Sequence, residues 1–295
     1  MFDSLQSIVD ISEKQGKPFW QVVLEDDVSE RQVSRADSFG RMAATWEAML
    51  LAAESYDKNL KSRSGLVGGD GARMEEYRLS GCRPLCGDFV LKVMAGALQM
   101  GESNACMKRI VAAPTAGACG VLPAVLVPYF KEERGTREQI IQALYVAAGI
   151  GQVIAHRASI SGAAGGCQAE IGAASAMAAG ALAYLQGGSG SQIIHAAGMS
   201  MKNLLGLVCD PVAGLVEVPC VKRNVIGAMN ALSAADMAMA GIVSRIPPDQ
   251  VIDAMGEVGD KMDASLRETA MGGLAATPEG LELAAKFEAI SAKIL

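Results

Sequence analysis

The sequence predicts an all-α fold in which helices form a single large domain. Alanine, glycine and methionine are abundant, whereas aromatic residues make up only 4% of the 295 residues. Small side chains suit helices that pack closely, and they are less suited to the pleated surface of a sheet. Apolar residues also recur at three- and four-residue steps, as at Phe39, Met42, Trp46 and Met49, which is typical of a helix that buries one face.

The first third of the chain predicts three helices and then a glycine-rich loop. A short helix breaks at 16–18, where glycine and proline interrupt the helical spacing, and a second helix follows. A longer amphipathic helix is predicted from about Ser29 to about Lys61. Residues 62–73 contain four glycines but match neither GxGxxG nor GxxxxGK[ST], so we interpret them as a linker or a loop near a functional site.

Helix-start signals mark the middle of the chain. Asp88 is predicted to cap one helix, and Thr136 to cap the next long one. Between them, residues 114–117 (PTAG) form a turn, here called the polar turn, before a helix that begins near Gly120. Such a turn presents N–H groups and the hydroxyl of Thr115 to an anion. From these residues alone, an ordinary turn that closes a loop is the simpler interpretation.

Three cysteines stand where the chain is predicted to enter a helix or to bend. Cys167 follows two glycines and precedes QAEIGAASAMAAGALAYL, and Cys220 precedes another helical segment. Cys209 lies at a bend before Asp210–Pro211, which are predicted to cap and begin a short turn that ends at Gly214. Free N–H groups and the helix dipole favour a thiolate at a helix start. The sequence therefore allows glycine-rich loops to converge on a metal-cluster site.

The number of thiolates distinguishes several kinds of site. Structural zinc and electron-transfer clusters normally take four protein ligands, whereas three leave one metal position open. Cys119 in TAGACG is the best candidate for a fourth ligand. The cysteines are also compatible with buried small hydrophobes, a common role of free cysteine. No two of these cysteines form a CxxC motif, so their spacing does not decide between these alternatives.

Composition argues against several classes of protein. A formal charge of −6 gives no basic footprint, so we expect no nucleic-acid partner. Seven cysteines are an odd number, and the chain begins without a signal-peptide pattern, so we expect reduced thiols in the cytoplasm. The charge-poor segments 110–130 and 171–201 are interrupted by prolines or polar residues, so we expect core helices and no membrane span.

Four long strings resemble one known family. EEYRLSGCRPLCGDF, RIVAAPTAGACGVLPAVL, SGAAGGCQAEIGAASAMAAGA and CDPVAGLVEVPCVKRNVIGAMNA are similar to the α chain of the iron–sulfur-dependent, bacterial-type L-serine dehydratase. The resemblance runs from about residue 75 to the end, and more loosely before it. It implies that Cys167, Cys209 and Cys220 bind a [4Fe–4S] cluster whose fourth iron receives the substrate. It also implies conversion of L-serine to pyruvate and ammonia. The alternatives are a related iron–sulfur lyase that acts on L-cysteine or L-threonine, and a four-ligand iron–sulfur electron-transfer protein.

The resemblance also implies a partner. Family members in a single polypeptide carry a preceding domain with a Ser/His-rich motif, and no such string occurs here. A separate β chain is therefore expected to supply that part, including the base that takes the α-proton. A pyridoxal-phosphate enzyme is not expected, because Lys131 and Lys202 are the only lysines between residues 109 and 221 and neither has a phosphate-binding setting.

These expectations divide the chain into two parts that form one compact unit. Residues 1–74 are predicted to be a helical arm with the glycine-rich loop, and residues 75–295 a helical catalytic domain that carries the cluster. Four side chains that flank the cysteines or lie in the polar turn are predicted to hold the substrate: Thr115, Ser161, Arg223 and Asn224.

Overall fold

Thirteen α-helices form the fold in the computed structural model, which describes residues 1–291. No β-strand occurs in that range, where one isolated bridge joins Cys209 to Arg267. The all-α prediction is confirmed. The helices are α1 (Leu5–Gln15), α2 (Phe19–Arg31), α3 (Arg35–Glu54), α4 (Asp70–Leu79), α5 (Asp88–Ala105), α6 (Val121–Lys131), α7 (Arg137–Arg157), α8 (Gly162–Gly165), α9 (Ala173–Leu185), α10 (Gly190–Lys202), α11 (Cys220–Met239), α12 (Pro248–Lys261) and α13 (Pro278–Ser291).

Several helix ends lie where the local sequence predicted them. The hydroxyl of Thr136 accepts a hydrogen bond from the N–H of Gln139, whose side chain accepts one from the N–H of Thr136. This capping box begins α7. Gly120 is the cap of α6, close to the predicted start.

Other predicted helix ends are wrong. The helix predicted over 29–61 is shorter. Residues 29–31 belong to α2, Gln32 adopts a left-handed φ of 51°, and the Ser34 hydroxyl caps α3, which ends at Glu54. Asp88 is the first residue of α5 and not its cap. Its carboxylate instead pairs with Arg78 and Lys92.

The core is built around α9, which is buried on nearly every side between α6, α7, α10 and α11. Its alanines and glycines allow close approach: a β-carbon at Gly180 would lie 2.2 Å from Cδ1 of Ile150 on α7. Side chains of the first three helices, including Leu24 and Trp46, belong to the same core cluster as α7 and α9. One hydrophobic core therefore extends through both predicted parts of the chain.

The long helix α7 is apolar as well as central. Among the described residues it is the one helix long and apolar enough to cross a membrane. However, 67% of its most apolar window is buried inside the protein. Its apolar surface is thus accounted for by the core, as expected for a core helix.

Candidate metal-cluster site

Three buried cysteines are brought together by three separate segments. Cys167 precedes a π-helical turn (Gln168–Gly172) that leads into α9, and Cys220 is the first residue of α11. Cys209 lies in the connection between α10 and the 3-10 turn Val212–Gly214. Cys167 and Cys209 are each 2% exposed, and Cys220 is 8% exposed. Burial raises the pKa of the Cys209 thiol, and the nearby thiols of Cys167 and Cys220 raise it further.

The three thiols share an environment that disfavours negative charge. Burial raises the pKa of Cys167 to about 11 and that of Cys220 to about 12. Without a metal the thiols therefore hold their protons at neutral pH. A metal cation displaces thiol protons and supplies the compensating positive charge, so this donor set fits a metal centre.

The three clustered donors are all thiols. In residues 1–291, no three His, Cys, Asp or Glu side chains are close enough to hold a single metal ion. Thiolates are also the ligands that iron–sulfur clusters use. The three donors are therefore of the kind that an iron–sulfur cluster takes.

A buried ion pair fixes two of the cysteine segments. Arg223 donates from Nη1 to the carbonyl of Val208 at 2.7 Å and from Nη2 to Oδ1 of Asp210 at 2.8 Å. Oδ2 of Asp210 accepts from the N–H of Leu274 at 2.7 Å. The predicted capping role of Asp210 is wrong, because its carboxylate is used by this pair. The guanidinium also lies near the Cys167 thiol and opposes the effect of burial on its pKa.

The segment after α12 closes over Cys209. The N–H of Cys209 donates to the carbonyl of Leu266 at 2.8 Å, and its carbonyl accepts from the N–H of Glu268 at 2.7 Å. Beside it, Gln168 accepts from the N–H of Gly206 and donates to the carbonyl of Met255. These bonds hold the Cys209 loop against both α12 and the π-helical turn.

Asn224 connects the polar turn to Cys220. Its Oδ1 accepts from the N–H of Gly120 at 2.8 Å, and its Nδ2 donates to the carbonyls of Gly117 and Cys220 at 2.8 and 3.0 Å. Asn224 and Arg223 were both predicted to hold the substrate. Both N–H donors of the Asn224 amide and two of the five N–H donors of Arg223 bind the protein itself, which favours a positioning role for both side chains.

Thr115 and Ser161 have donors that the protein does not use. The hydroxyl of Thr115 is buried and has no hydrogen-bond partner among the described residues. Within residues 1–291, the backbone N–H groups of residues 115–117 donate no hydrogen bond to another protein group. Ser161 is exposed at the start of α8. The polar turn thus retains the anion-binding capacity predicted for it.

The glycine-rich loop lies against the segment that leads into Cys220. The hydroxyl of Ser62 donates to Oε2 of Glu217 at 2.8 Å, and that of Ser64 donates to the same oxygen. Glu217 is only 7% exposed and precedes Cys220 by three residues. The loop therefore holds the entry to α11 in place.

The remaining candidates make their contacts elsewhere. Cys119 is fully buried, and its thiol faces the carbonyl of Met100 at 3.7 Å. Burial alone raises its pKa to about 12, without influence from the three clustered thiols. Nε2 of His156 lies 3.6 Å from the carboxylate of Asp3, and His195 accepts from the N–H of Ser244.

Glu170 was not predicted, although its carboxylate lies within the site. Oε2 is 4.0 Å from Sγ of Cys209. Burial raises the pKa of Glu170, and the nearby Thr115 hydroxyl opposes this although it does not reach hydrogen-bonding geometry. The sequence did hold a signal: Glu170 is the only acidic or basic residue between Arg157 and Lys202, histidine aside.

Gly162 gives a test of this packing. A β-carbon there would lie 2.8 Å from Oε2 of Glu170 and 3.1 Å from Sγ of Cys209. We expect Gly162→Ala to displace these groups and to lower the free energy of unfolding by about 1–3 kcal/mol, measured by urea unfolding. Gly40→Ala is the control, since Gly40 is exposed on α3 with no atom near its β-carbon position. Equal free energies of unfolding in the two variants would contradict this packing.

Comparisons with known proteins agree on one family. The family model "Serine dehydratase alpha chain" matches residues 14–275. The chain is 46% identical over 287 residues to the probable L-serine dehydratase, alpha chain, of Bacillus subtilis, covering 97% of this chain and 95% of that protein. It is 41% identical to the L-serine dehydratase, alpha chain, of Peptoniphilus asaccharolyticus, covering 97% and 98%.

A longer relative matches only part of the chain. The L-serine dehydratase TdcG of Escherichia coli is 50% identical over 181 residues, which are 61% of this chain and 40% of that protein. The two alpha chains, in contrast, match almost from end to end. The chain therefore belongs to the family of serine dehydratase alpha chains.

Proposed function

We propose that this chain is the α chain of a two-chain L-serine dehydratase, which converts L-serine to pyruvate and ammonia with a [4Fe–4S] cluster bound by Cys167, Cys209 and Cys220. Family membership supports the reaction. The observation that carries the cluster assignment is the meeting of three buried thiols beside the polar turn. We expect the protein in the cytoplasm, where thiols stay reduced.

A bound cluster with one iron free of protein ligands supplies a Lewis acid that makes the serine hydroxyl a better leaving group. The chain's own residues prepare the site for it. Arg223 places a buried positive charge beside Cys167, and Asn224 fixes the distance between Cys220 and the polar turn. Cys119 is not expected to act as a fourth ligand, because its thiol faces the carbonyl of Met100.

The polar turn is the proposed site for the substrate carboxylate. It offers the buried hydroxyl of Thr115 and the free N–H groups of residues 115–117. Ser161, at the start of α8, is a second proposed contact. Hydrogen bonds from such donors orient a carboxylate and restrict the bound conformer, which is how positioning lowers a barrier.

The reaction then needs a base. Loss of the α-proton and of the hydroxyl as water leaves aminoacrylate, which tautomerises and takes up water to give pyruvate and ammonia. Neither histidine of this chain lies among the three thiols. We therefore propose that the β chain supplies the base. A positioned base typically contributes 10²–10⁴-fold to a rate, by order of magnitude.

The experiment is a substrate assay of the two chains together. The chain is expressed with the β-chain reading frame of its own genome, copurified without oxygen, and assayed for pyruvate from L-serine, D-serine, L-threonine and L-cysteine. The pair is expected to prefer L-serine, and the isolated chain to reach at most about one hundredth of its rate. Strong turnover by the isolated chain would contradict the two-chain proposal. Preference for L-cysteine would instead assign a desulfidase-like lyase.

A further inference from the structure

Glu170 is unusual among the enclosed carboxylates of this chain because the protein does not satisfy it. Asp210 pairs with Arg223 and the N–H of Leu274, and Glu217 accepts from two serine hydroxyls. Glu102 accepts from Tyr56 and from two backbone N–H groups at the start of α4. Within residues 1–291, the one hydrogen-bond contact to the Glu170 carboxylate comes from the Cys209 thiol, at 4.0 Å.

No cation of the described chain neutralises Glu170. Within residues 1–291, no Lys, Arg or His nitrogen lies within 4.0 Å of its carboxylate. Arg223, the buried cation of the site, is already held by Asp210 and Val208. The Thr115 hydroxyl lies near enough to lower the pKa of Glu170, but it makes no hydrogen bond with a described residue. A partly enclosed carboxylate without protein donors leaves its negative charge available to a positively charged ligand from outside the chain.

Two glycines border the carboxylate of Glu170 closely. Gly117 of the polar turn faces it, and a β-carbon there would lie 3.5 Å from both oxygens of Glu170. Gly162 faces it from a second direction, and a β-carbon there would lie 2.8 Å from Oε2. Glu170 itself is half-buried and not sealed into the core. The carboxylate of Glu170 therefore lies between the polar turn and α8, and its partial exposure leaves it accessible to a small cationic group from solvent.

We propose that Glu170 binds the α-ammonium group of the amino-acid substrate. This inference rests on the proposed function and adds the group that recognises the amine. An α-amino acid carries its ammonium and carboxylate on the same carbon, and Glu170 adjoins Thr115 of the polar turn. One small molecule can thus place its carboxylate on the polar turn and its ammonium on Glu170. A hydrogen bond between two charged groups is about twice as strong as one between neutral groups.

The test compares two compounds that differ in the amine. L-serine carries the ammonium group, whereas 3-hydroxypropanoate has the same hydroxyl and carboxylate without it. Glu170→Gln in the complete two-chain enzyme is expected to raise the KM for L-serine by about 10- to 100-fold, with a smaller change in kcat. The inhibition constant of 3-hydroxypropanoate and the iron and sulfide content are expected to stay at wild-type values. Glu257→Gln, on the exposed face of α12, is the control.

Other outcomes overturn the assignment. A fall in kcat with an unchanged KM would make Glu170 a proton-transfer group, and loss of iron would make it a cluster ligand or a packing residue. Equal weakening of L-serine and 3-hydroxypropanoate would exclude specific recognition of the amine. A wild-type pair that dehydrates L-serine, combined with an unaffected variant, overturns this inference alone. A wild-type pair that neither binds nor dehydrates L-serine overturns the proposed function as well.

Discussion

Replacing Cys167, Cys209 or Cys220 by alanine is expected to remove the cluster and all measurable L-serine turnover. Each thiol comes from a different segment, so no neighbouring cysteine can replace a lost one. The three sites are also buried, which keeps water from taking the vacated position without cost. Cys119→Ala is the matched control, because Cys119 is equally buried but faces the carbonyl of Met100.

Iron and sulfide analysis after anaerobic purification measures this directly. Each of the three variants is expected to hold no stable cluster, whereas Cys119→Ala is expected to hold as much iron as the wild type. Circular dichroism separates loss of the cluster from loss of the fold. A full cluster in any one of the three variants, together with its loss in Cys119→Ala, would show that the ligand set is wrong.

Features encoded by neighbouring residues were predictable from the sequence. The capping box at Thr136, the polar turn before α6 and the helix that begins at Cys220 all depend on residues within a few positions of one another. The position of Cys167 before a helical segment is of the same kind, although its first turn is π-helical. Local chemistry was therefore enough to mark where each cysteine lies along the chain.

Features that depend on distant residues were not predictable in this way. The Asp210–Arg223 pair spans 13 positions, and the N–H of Leu274 reaches Asp210 across 64. Spacing rules describe one helix or turn, so they assigned Asp210 to a local cap. The ion pair between this carboxylate and the buried Arg223 guanidinium is favoured over a helix cap, because an unpaired buried charge is costly. The cap was thus displaced by a tertiary contact that no local pattern reports.

The surroundings of Glu170 also depend on distant residues and were not predicted. The sequence around Glu170 predicts only a helix after Cys167. The carboxylate contacts Cys209 and lies beside Gly117 and Gly162, which all belong to other segments. Its isolation in an uncharged stretch of sequence was a usable signal. Lone charged residues in alanine- and glycine-rich segments deserve a test as ligand-binding groups, because burying a charge without a purpose is unfavourable.

Removing the carboxylate of Asp210 is expected to lower the free energy of unfolding of the chain by about 3–5 kcal/mol. The side chains of Arg223 and Asp210 are only 11% and 4% exposed. Asp210→Ala leaves the Arg223 guanidinium buried without its counter-charge and removes the acceptor of the Leu274 N–H. Both the Cys209 loop and the 3-10 turn that follows Gly272 lose their anchor.

Urea unfolding of the purified chain measures this cost. Glu257→Ala is the control, because its pair with Lys261 is 3.3 Å long and both side chains are more than 70% exposed. That variant is expected to change stability by less than about 0.5 kcal/mol. Adding Arg223→Met to Asp210→Ala is expected to recover part of the loss, since the double variant buries no unpaired charge. If Asp210→Ala were no more destabilising than Glu257→Ala, the buried pair would not be the structural anchor of the Cys209 loop.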